Sequence, residues 1–225
     1  MNYSTKRTLL ERFVTFLGIN EHFHKYQNDI INEDSSIFIS PVETILVYAG
    51  KIGKSGKLIS KFGKELDLRE SIGNGADLFL GGFYMNLYLS PKDKHYWRIP
   101  YDSEVISTKV NNGKAKIPII VGLEKFFPRT DFFEKAIKQN ASIGSIFKAD
   151  KFYYSMIAVG SLNVNSIHTI KKDYFKKGDI GGYFNLGSSM LLCFSKNSLE
   201  SLVTPGMKVD IGQDLFKIKN IYKVS

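Results

Sequence analysis

The sequence predicts an α+β fold, a β-rich single domain with an N-terminal amphipathic helix. Short apolar runs rich in Ile, Val, Phe and Tyr recur at strand length along most of the chain. Turns containing Gly or Pro separate them, with 19 Gly and 6 Pro among 225 residues. Helical spacing is clearest near the start, at Leu9, Leu10, Phe13, Phe16 and Leu17, where apolar residues return every three or four positions. The expected organisation is a helical segment over 1–35 followed by a β-rich domain over 36–225.

The first helix spans about three turns and ends near Gly18, with Lys6, Arg7, Glu11 and Arg12 among or before its apolar residues. In the plainer reading it packs on its own domain; in the other it lies on a membrane surface. A second helical piece, Glu21–Ile31, holds His22 and His24, whose spacing of two suits no shared ligand on a helix. From Ser36 the period changes, and Ile37–Ile39 and Ile45–Tyr48 read as strands around Ser40-Pro41. Gly53-Lys54-Ser55 looks faintly like a phosphate loop, but Tyr48 stands where such a loop needs its first glycine, so it reads as a lysine-rich turn. A helix is expected over Glu65–Ile72 and strands over Leu78–Leu80 and Phe83–Leu89. Ser90–Pro100 is a polar and aromatic stretch holding His95 and the only tryptophan, Trp97. Further on, a polar turn at Lys109–Lys116, a strand at Ile117–Val121 and a helix at Asp131–Gln139 are expected. Strands at Ser155–Val164, Ser166–Ile170, Met207–Ile211 and Leu215–Val224 follow.

Hydrophobic content of 43% suits a filled core, and no apolar run reaches the roughly 18 residues of a spanning helix. The N-terminus lacks the pattern of a signal peptide. The single cysteine, Cys193, excludes an internal disulfide framework or a multi-cysteine metal site and reads as a small buried hydrophobe. A net charge of +9 attracts nucleic acid or an anionic membrane. The lysines are spread, with pairs at Lys171-Lys172 and Lys176-Lys177, and no nucleic-acid motif accompanies them. The expected partner is therefore an anionic phospholipid surface, not nucleic acid. The expected location is cytoplasmic and peripheral to the membrane, and the reading leaves room for a homodimer.

The most informative stretch is Gly178–Phe194. Two runs rich in strand formers, Tyr183–Leu186 and Met190–Phe194, flank Gly187-Ser188-Ser189. Such a step between apolar runs is most often a bulge or bend. It also has a chemical reading, because a serine directly after glycine can bring its hydroxyl to the preceding carbonyl, as a backbone N→O acyl shift requires.

Lys177-Gly178, Gly182-Tyr183-Phe184 and Leu186-Gly187-Ser188-Ser189 resemble the self-cleavage segment of the phosphatidylserine decarboxylase family, with Ile180 where that family has glutamate. Ile39-Ser40-Pro41, Leu87–Pro100 and Val159–Val164 resemble three further segments of the family, in the same order. The resemblance implies scission between Gly187 and Ser188 and a pyruvoyl cofactor derived from Ser188. That group would draw electrons from an aminophospholipid as CO₂ leaves, converting phosphatidylserine to phosphatidylethanolamine. It also implies that His95 returns the proton to carbon.

Three further positions depart from the pattern, one of them Thr44, where the family has the glycine that follows its aspartate. The family's second histidine, which activates the serine, falls on Arg98, and its aspartate partner falls on Glu43. Guanidinium cannot act as a base, although Glu43 and Arg98 could form a structural fork. Three arrangements follow: His95 or Glu43 acts as base; Arg98 stabilises an oxyanion in a water-assisted route; or the chain stays whole, as a non-catalytic relative binding lipid or a protein partner. A third class, a carrier domain modified at Lys208, rests on Gly206-Met207-Lys208-Val209 but lacks the full flanking motif.

Overall fold

Burial on both faces explains the most apolar run. In residues 188–194 Met190, Leu192 and Phe194 enter one core while Leu191 and Cys193 enter another. A strand covered on both sides needs an unbroken apolar sequence rather than an alternating one. The computed structural model describes residues 2–17, 28–60, 62–90, 92–119, 126, 130–162, 166–185, 188–195 and 199–218.

In chain order the described elements are β1 (Tyr3–Ser4), α1 (Leu9–Phe16), β2 (Ile37–Ile39), β3 (Thr44–Lys51), β4 (Lys57–Ile59), β5 (Glu65–Asp67), α2 (Leu68–Ile72) and a 3₁₀ turn (Gly73–Phe79). Next come β6 (Phe83–Leu89), β7 (Tyr96–Arg98), β8 (Ser103–Asn111), α3 (Phe132–Gln139), β9 (Ser142–Lys148) and β10 (Tyr153–Val159). The remainder is β11 (Ile167–Thr169), β12 (Tyr174–Phe175), β13 (Ile180–Phe184), β14 (Ser188–Phe194), β15 (Leu199–Ser201), β16 (Lys208–Val209) and β17 (Asp214–Ile218).

Eight strands form one antiparallel sheet in the order β12-β8-β9-β10-β14-β6-β3-β16, which places β14 deep inside it. One face carries α2, the 3₁₀ turn and α3, through Leu68, Ile72, Phe79, Ala136 and Ile137. The other face meets two smaller sheets, β1-β11-β13-β7 and β15-β17-β2, around an aromatic centre. There Phe38 meets Phe194 edge-on at 5.1 Å and Phe83 stacks on Phe194 at 4.7 Å, both favourable ring arrangements. Two glycines fix how β13 approaches this core. Gly178 turns the chain into β13 with φ of 85°, a conformation costly for other residues. A Cβ on Gly182 would lie 2.1 Å from the His168 carbonyl and 2.3 Å from the Trp97 ring, so no side chain fits.

α1 begins at a capping box, in which the Thr8 hydroxyl accepts from Glu11 N–H and Glu11 accepts from Thr8 N–H. Its large apolar residues do not cover the domain: Leu9 is 82% and Phe16 85% exposed, and Phe13 is also exposed. Among the described side chains of α1 the buried one is Glu11, accepting from the Ser166 N–H at 2.7 Å. The plainer expectation, a helix packed by its apolar face, is therefore not what these residues do.

Several sequence expectations need correction. Glu65–Asp67 is a strand, with helix only from Leu68, because Asp67 caps the helix by accepting from Arg69 N–H. Leu78–Leu80 is not a strand; its first two residues end the 3₁₀ turn, where Phe79 packs into the helix-side core. The strand β8 runs on to Asn111, into the expected polar turn, because β9 pairs with it to that point. Residues 117–119 form no strand, and β10 stops at Val159. Residues 21–27, with His22 and His24, lie outside the described residues.

Candidate active site

Strand alternation separates the two serines of the Gly-Ser-Ser step. Ser189 pairs with Tyr88 on one side and Val159 on the other, and its hydroxyl lies 2.8 Å from Asn86 Oδ1 and 2.9 Å from the Leu87 carbonyl. Ser188 opens β14 opposite Leu89. It is 1% exposed, and its Oγ has no hydrogen-bond partner. One hydroxyl is committed and the other is not. Gly187 lies outside the described residues.

His95 reaches the same corner from another direction. It is fully buried between β6 and β7, and its carbonyl accepts from the Phe184 N–H at 2.7 Å. Phe184 is four residues before Ser188, and Leu89, paired with Ser188, is six before His95. The ladder thus ties both ends of the corner. Ser166 and Asn185 complete it: Asn185 N–H donates to the Ser166 carbonyl at 3.2 Å. Both residues are buried, and neither Ser166 Oγ nor Asn185 Nδ2 has a partner.

Arg98 and Glu43 are engaged with other groups. Arg98 Nε donates to Asp29 Oδ2 at 2.7 Å and Nη1 to the Gly178 carbonyl at 2.7 Å. Lys94 Nζ and the Tyr96 hydroxyl also donate to Asp29, each at 2.7 Å. Residues 94, 96 and 98 share one face of the strand, and His95 and Trp97 take the other. Burial pushes the Asp29 carboxyl up, but the donors from Lys94, Arg98 and Tyr96 outweigh it and hold it below the ordinary aspartate value of 3.8.

Glu43 Oε2 accepts from the Lys94 N–H at 3.1 Å, and Oε1 pairs with Lys208 Nζ at 3.0 Å across the β3–β16 edge. The fork expected between Glu43 and Arg98 is not formed, because Asp29 takes the guanidinium and Lys208 takes the carboxylate. The hydrogen bond to Glu43 raises the Lys208 ammonium pKa. Nothing in the sequence singles out Asp29, Glu11, Ser166 or Asn185. The alternating donors Lys94, Tyr96 and Arg98 were a legible sign of a buried acceptor, but not of which one.

The residues present fit a pyruvoyl group formed at position 188. The hydroxyl that would be converted is buried and uncommitted, His95 is buried in the same corner, and β6 holds the residue by its ladder. Among the described residues no group of His, Cys, Asp and Glu is arranged to hold a metal. No helix among them is long and apolar enough to cross a membrane.

Comparison with known proteins gives the family. A phosphatidylserine decarboxylase proenzyme of Anoxybacillus flavithermus is 30% identical over 180 residues, covering 78% of this chain and 65% of that protein, so slightly under two thirds of its length. Proenzymes of the same name from a Geobacillus species and from Bacillus thuringiensis are 28% and 26% identical. They cover 84% and 82% of this chain and 72% and 70% of their own lengths. The family model for phosphatidylserine decarboxylase matches residues 21–217, which takes in Glu43, His95, Arg98 and Ser188 but not α1, and on that match the chain belongs to the phosphatidylserine decarboxylase family of carboxy-lyases.

Proposed function

We propose that this chain is a self-processing, pyruvoyl-dependent decarboxylase that converts phosphatidylserine to phosphatidylethanolamine at a membrane surface. The observation that carries the reading is the buried, uncommitted Ser188 hydroxyl, with His95 also fully buried and its carbonyl bonded to Phe184 four residues before Ser188. A buried polar group without a partner costs about 1–3 kcal/mol, and catalytic work is a recognised reason for keeping one.

In the scission, His95 takes the hydroxyl proton as Ser188 Oγ bonds to the Gly187 carbonyl carbon, and the peptide C–N bond breaks to leave an ester. Loss of the Cα proton of residue 188 then breaks the ester C–O bond, freeing Gly187 as a carboxylate. Water displaces the nitrogen as ammonia and leaves a carbonyl at residue 188. His95 is the base in this reading, because Glu43 and Arg98 are both held by other partners. Once formed, the group supplies an electron-withdrawing carbonyl that accepts the electron pair released with CO₂. β14 keeps residue 188 in register with Leu89, the surrounding core excludes water, and His95 delivers a proton to the substrate carbon.

The membrane side of the proposal rests on α1. Leu9, Phe13 and Phe16 are exposed beside the exposed cations Lys6, Arg7 and Arg12, and Lys171 lies over the Tyr3 ring nearby. Apolar residues next to cations suit an anionic lipid interface.

Intact-mass measurement on protein from its native host tests this. The expected products are chains of about 187 and 38 residues, the smaller one trapped by borohydride in the presence of serine phospholipid. Only full-length chain would remove the reading. It would favour the second one, a lipid-binding relative without chemistry, which the capture of Arg98 by Asp29 supports.

A further inference from the structure

The helix side of the large sheet holds another unanswered polar group, and this one lines a cavity. Asp131 caps α3, its Oδ1 accepting from the Glu134 N–H at 2.8 Å in the usual manner of an N-cap. The residue is 5% exposed, and its other carboxylate oxygen, Oδ2, is buried with no partner among the described residues. The cap accounts for one oxygen and leaves the second unexplained. A buried carboxylate ordinarily meets a cation or several donors, as Asp29 does.

The cavity has a volume of about 30 Å³, and Tyr48, Phe62, Tyr84, Asn86 and Phe133 line it together with Asp131. The Tyr48 and Tyr84 rings lie 5.9 Å apart, inclined at 50°. The Tyr84 hydroxyl donates to the Ile59 carbonyl, so its oxygen is left as an acceptor. Burial pushes the Tyr84 phenol up, and Tyr48, Cys193 and the charge of Asp131 push it further, which places that charge near the ring.

We propose that this cavity binds the ammonium group of a small primary amine, with Asp131 Oδ2 as its counter-charge and the aromatic rings as its walls. An ammonium carries three donors and a positive charge, and aromatic faces attract such a cation where water is excluded. The space exceeds the roughly 10–15 Å³ that one water needs, so a group of one or two heavy atoms fits. Hard metal cations collect six or more oxygens, which a largely aromatic wall does not supply. The site is separate from the scission serine. Leu191 and Cys193 of β14 face the helix side, and by alternation Ser188 faces the other.

The test compares cations by shape and donors. Purified protein, its cleavage state recorded by intact mass, is unfolded by heat in methylammonium, tetramethylammonium or potassium chloride at one ionic strength. Methylammonium should raise Tm saturably, as a ligand of the folded state does, and the other two should not. Asp131→Asn keeps an oxygen for the helix cap and removes the charge. It should raise the half-saturating concentration about tenfold or more, the effect of losing a hydrogen bond between charged groups. Without amine its Tm should be unchanged or higher, because an amide is easier to bury than an unpartnered charge. Phe133→Leu should weaken the response about threefold. Short-chain phosphatidylethanolamine that stabilises wild type more than Asp131→Asn would show that a lipid's ammonium end also enters, whereas equal stabilisation assigns the site to free amines.

A cavity that holds only water gives no saturable shift, and that result overturns the proposal. Equal shifts from all three salts do the same, as does an undiminished methylammonium response in Asp131→Asn. A lower Tm for that variant without amine also overturns it, since the carboxylate would then have a structural partner. None of these measurements depends on scission, so their failure leaves the reading of Ser188 intact.

Discussion

The segment 94–98 divides two polar regions of the same molecule. On its outer face Asp29, with its side chain 1% exposed, takes three donors, from Lys94, Tyr96 and Arg98, while Glu43 takes Lys208 and the Lys94 N–H. On its inner side lie His95, Ser188, Ser166 and Asn185, all buried, with three hydroxyl or amide atoms unanswered among the last three. Paired buried groups fix a structure, because removing one partner strands the other. Unpaired ones cost stability, and use by something else is one recognised reason for keeping them. In the proposed reading the outer cluster is architecture and the inner corner carries the chemistry. That reading also explains how arginine can stand at position 98: the guanidinium has become part of the architecture.

The sharpest way to break the comparison is to treat the adjacent serines alike. Ser188→Ala should abolish scission, leaving only full-length chain on a denaturing gel, with Tm unchanged or higher because no hydrogen bond is lost. Ser189→Ala should still cleave, but lose about 1–2 kcal/mol in urea unfolding, since Asn86 Oδ1 and the Leu87 carbonyl lose their donor. If Ser188→Ala were the destabilised variant, its hydroxyl would be structural and the corner would not be a reactive one.

The outer cluster comes next in size. Asp29→Ala leaves Lys94 and Arg98 without their carboxylate. Breaking a buried ion pair costs about 3–5 kcal/mol, and the partial exposure of both cations puts the expected loss near the lower end, about 3 kcal/mol. The pH dependence has a definite sign. The folded-state pKa of Asp29 is depressed below 3.8, so its contribution is complete above the ordinary carboxylate range. It is lost as pH falls from there through the lower folded value. Unfolding curves of wild type and Asp29→Asn should therefore converge in acid and separate towards neutral pH. A constant gap would show that the charge of Asp29 is not what stabilises the fold.

Much of this was legible in the sequence where local pattern governs. The β-rich class, the strand at residues 83–89 and the buried Cys193 follow from apolar runs and glycine turns, because those signals act over a few residues. Asp131–Gln139 reads as a helix because Asp131 caps it. The expectations failed where distant segments decide. Nothing near Asp29 signals that it meets residues more than sixty positions away, and nothing near Glu11 signals that a residue on a helix's polar stripe becomes buried against Ser166. In the sequence, position 98 reads as a lost imidazole, but its contacts are with Asp29 and Gly178, which only the tertiary fold brings to it. The orphans Ser166 and Asn185 are illegible for a related reason: an unpaired group is defined by the whole of its surroundings.

The smallest expected effect tests the boundary between the regions. Glu43 stands where the family pattern places an acidic partner, yet its carboxylate is occupied by an exposed lysine and a backbone N–H. Glu43→Gln keeps an acceptor for the Lys94 N–H and loses only the ion pair with Lys208, an interaction that typically contributes about 0–1 kcal/mol at an exposed site. Scission followed by intact mass should then proceed within about twofold of wild type, far from the 10²–10⁴-fold loss that removing a general base brings. A loss of that larger size, with Tm unchanged, would transfer the role of base from His95 to Glu43. The outer cluster would then hold a reactive group despite being fully paired, and pairing would no longer separate architecture from chemistry in this fold.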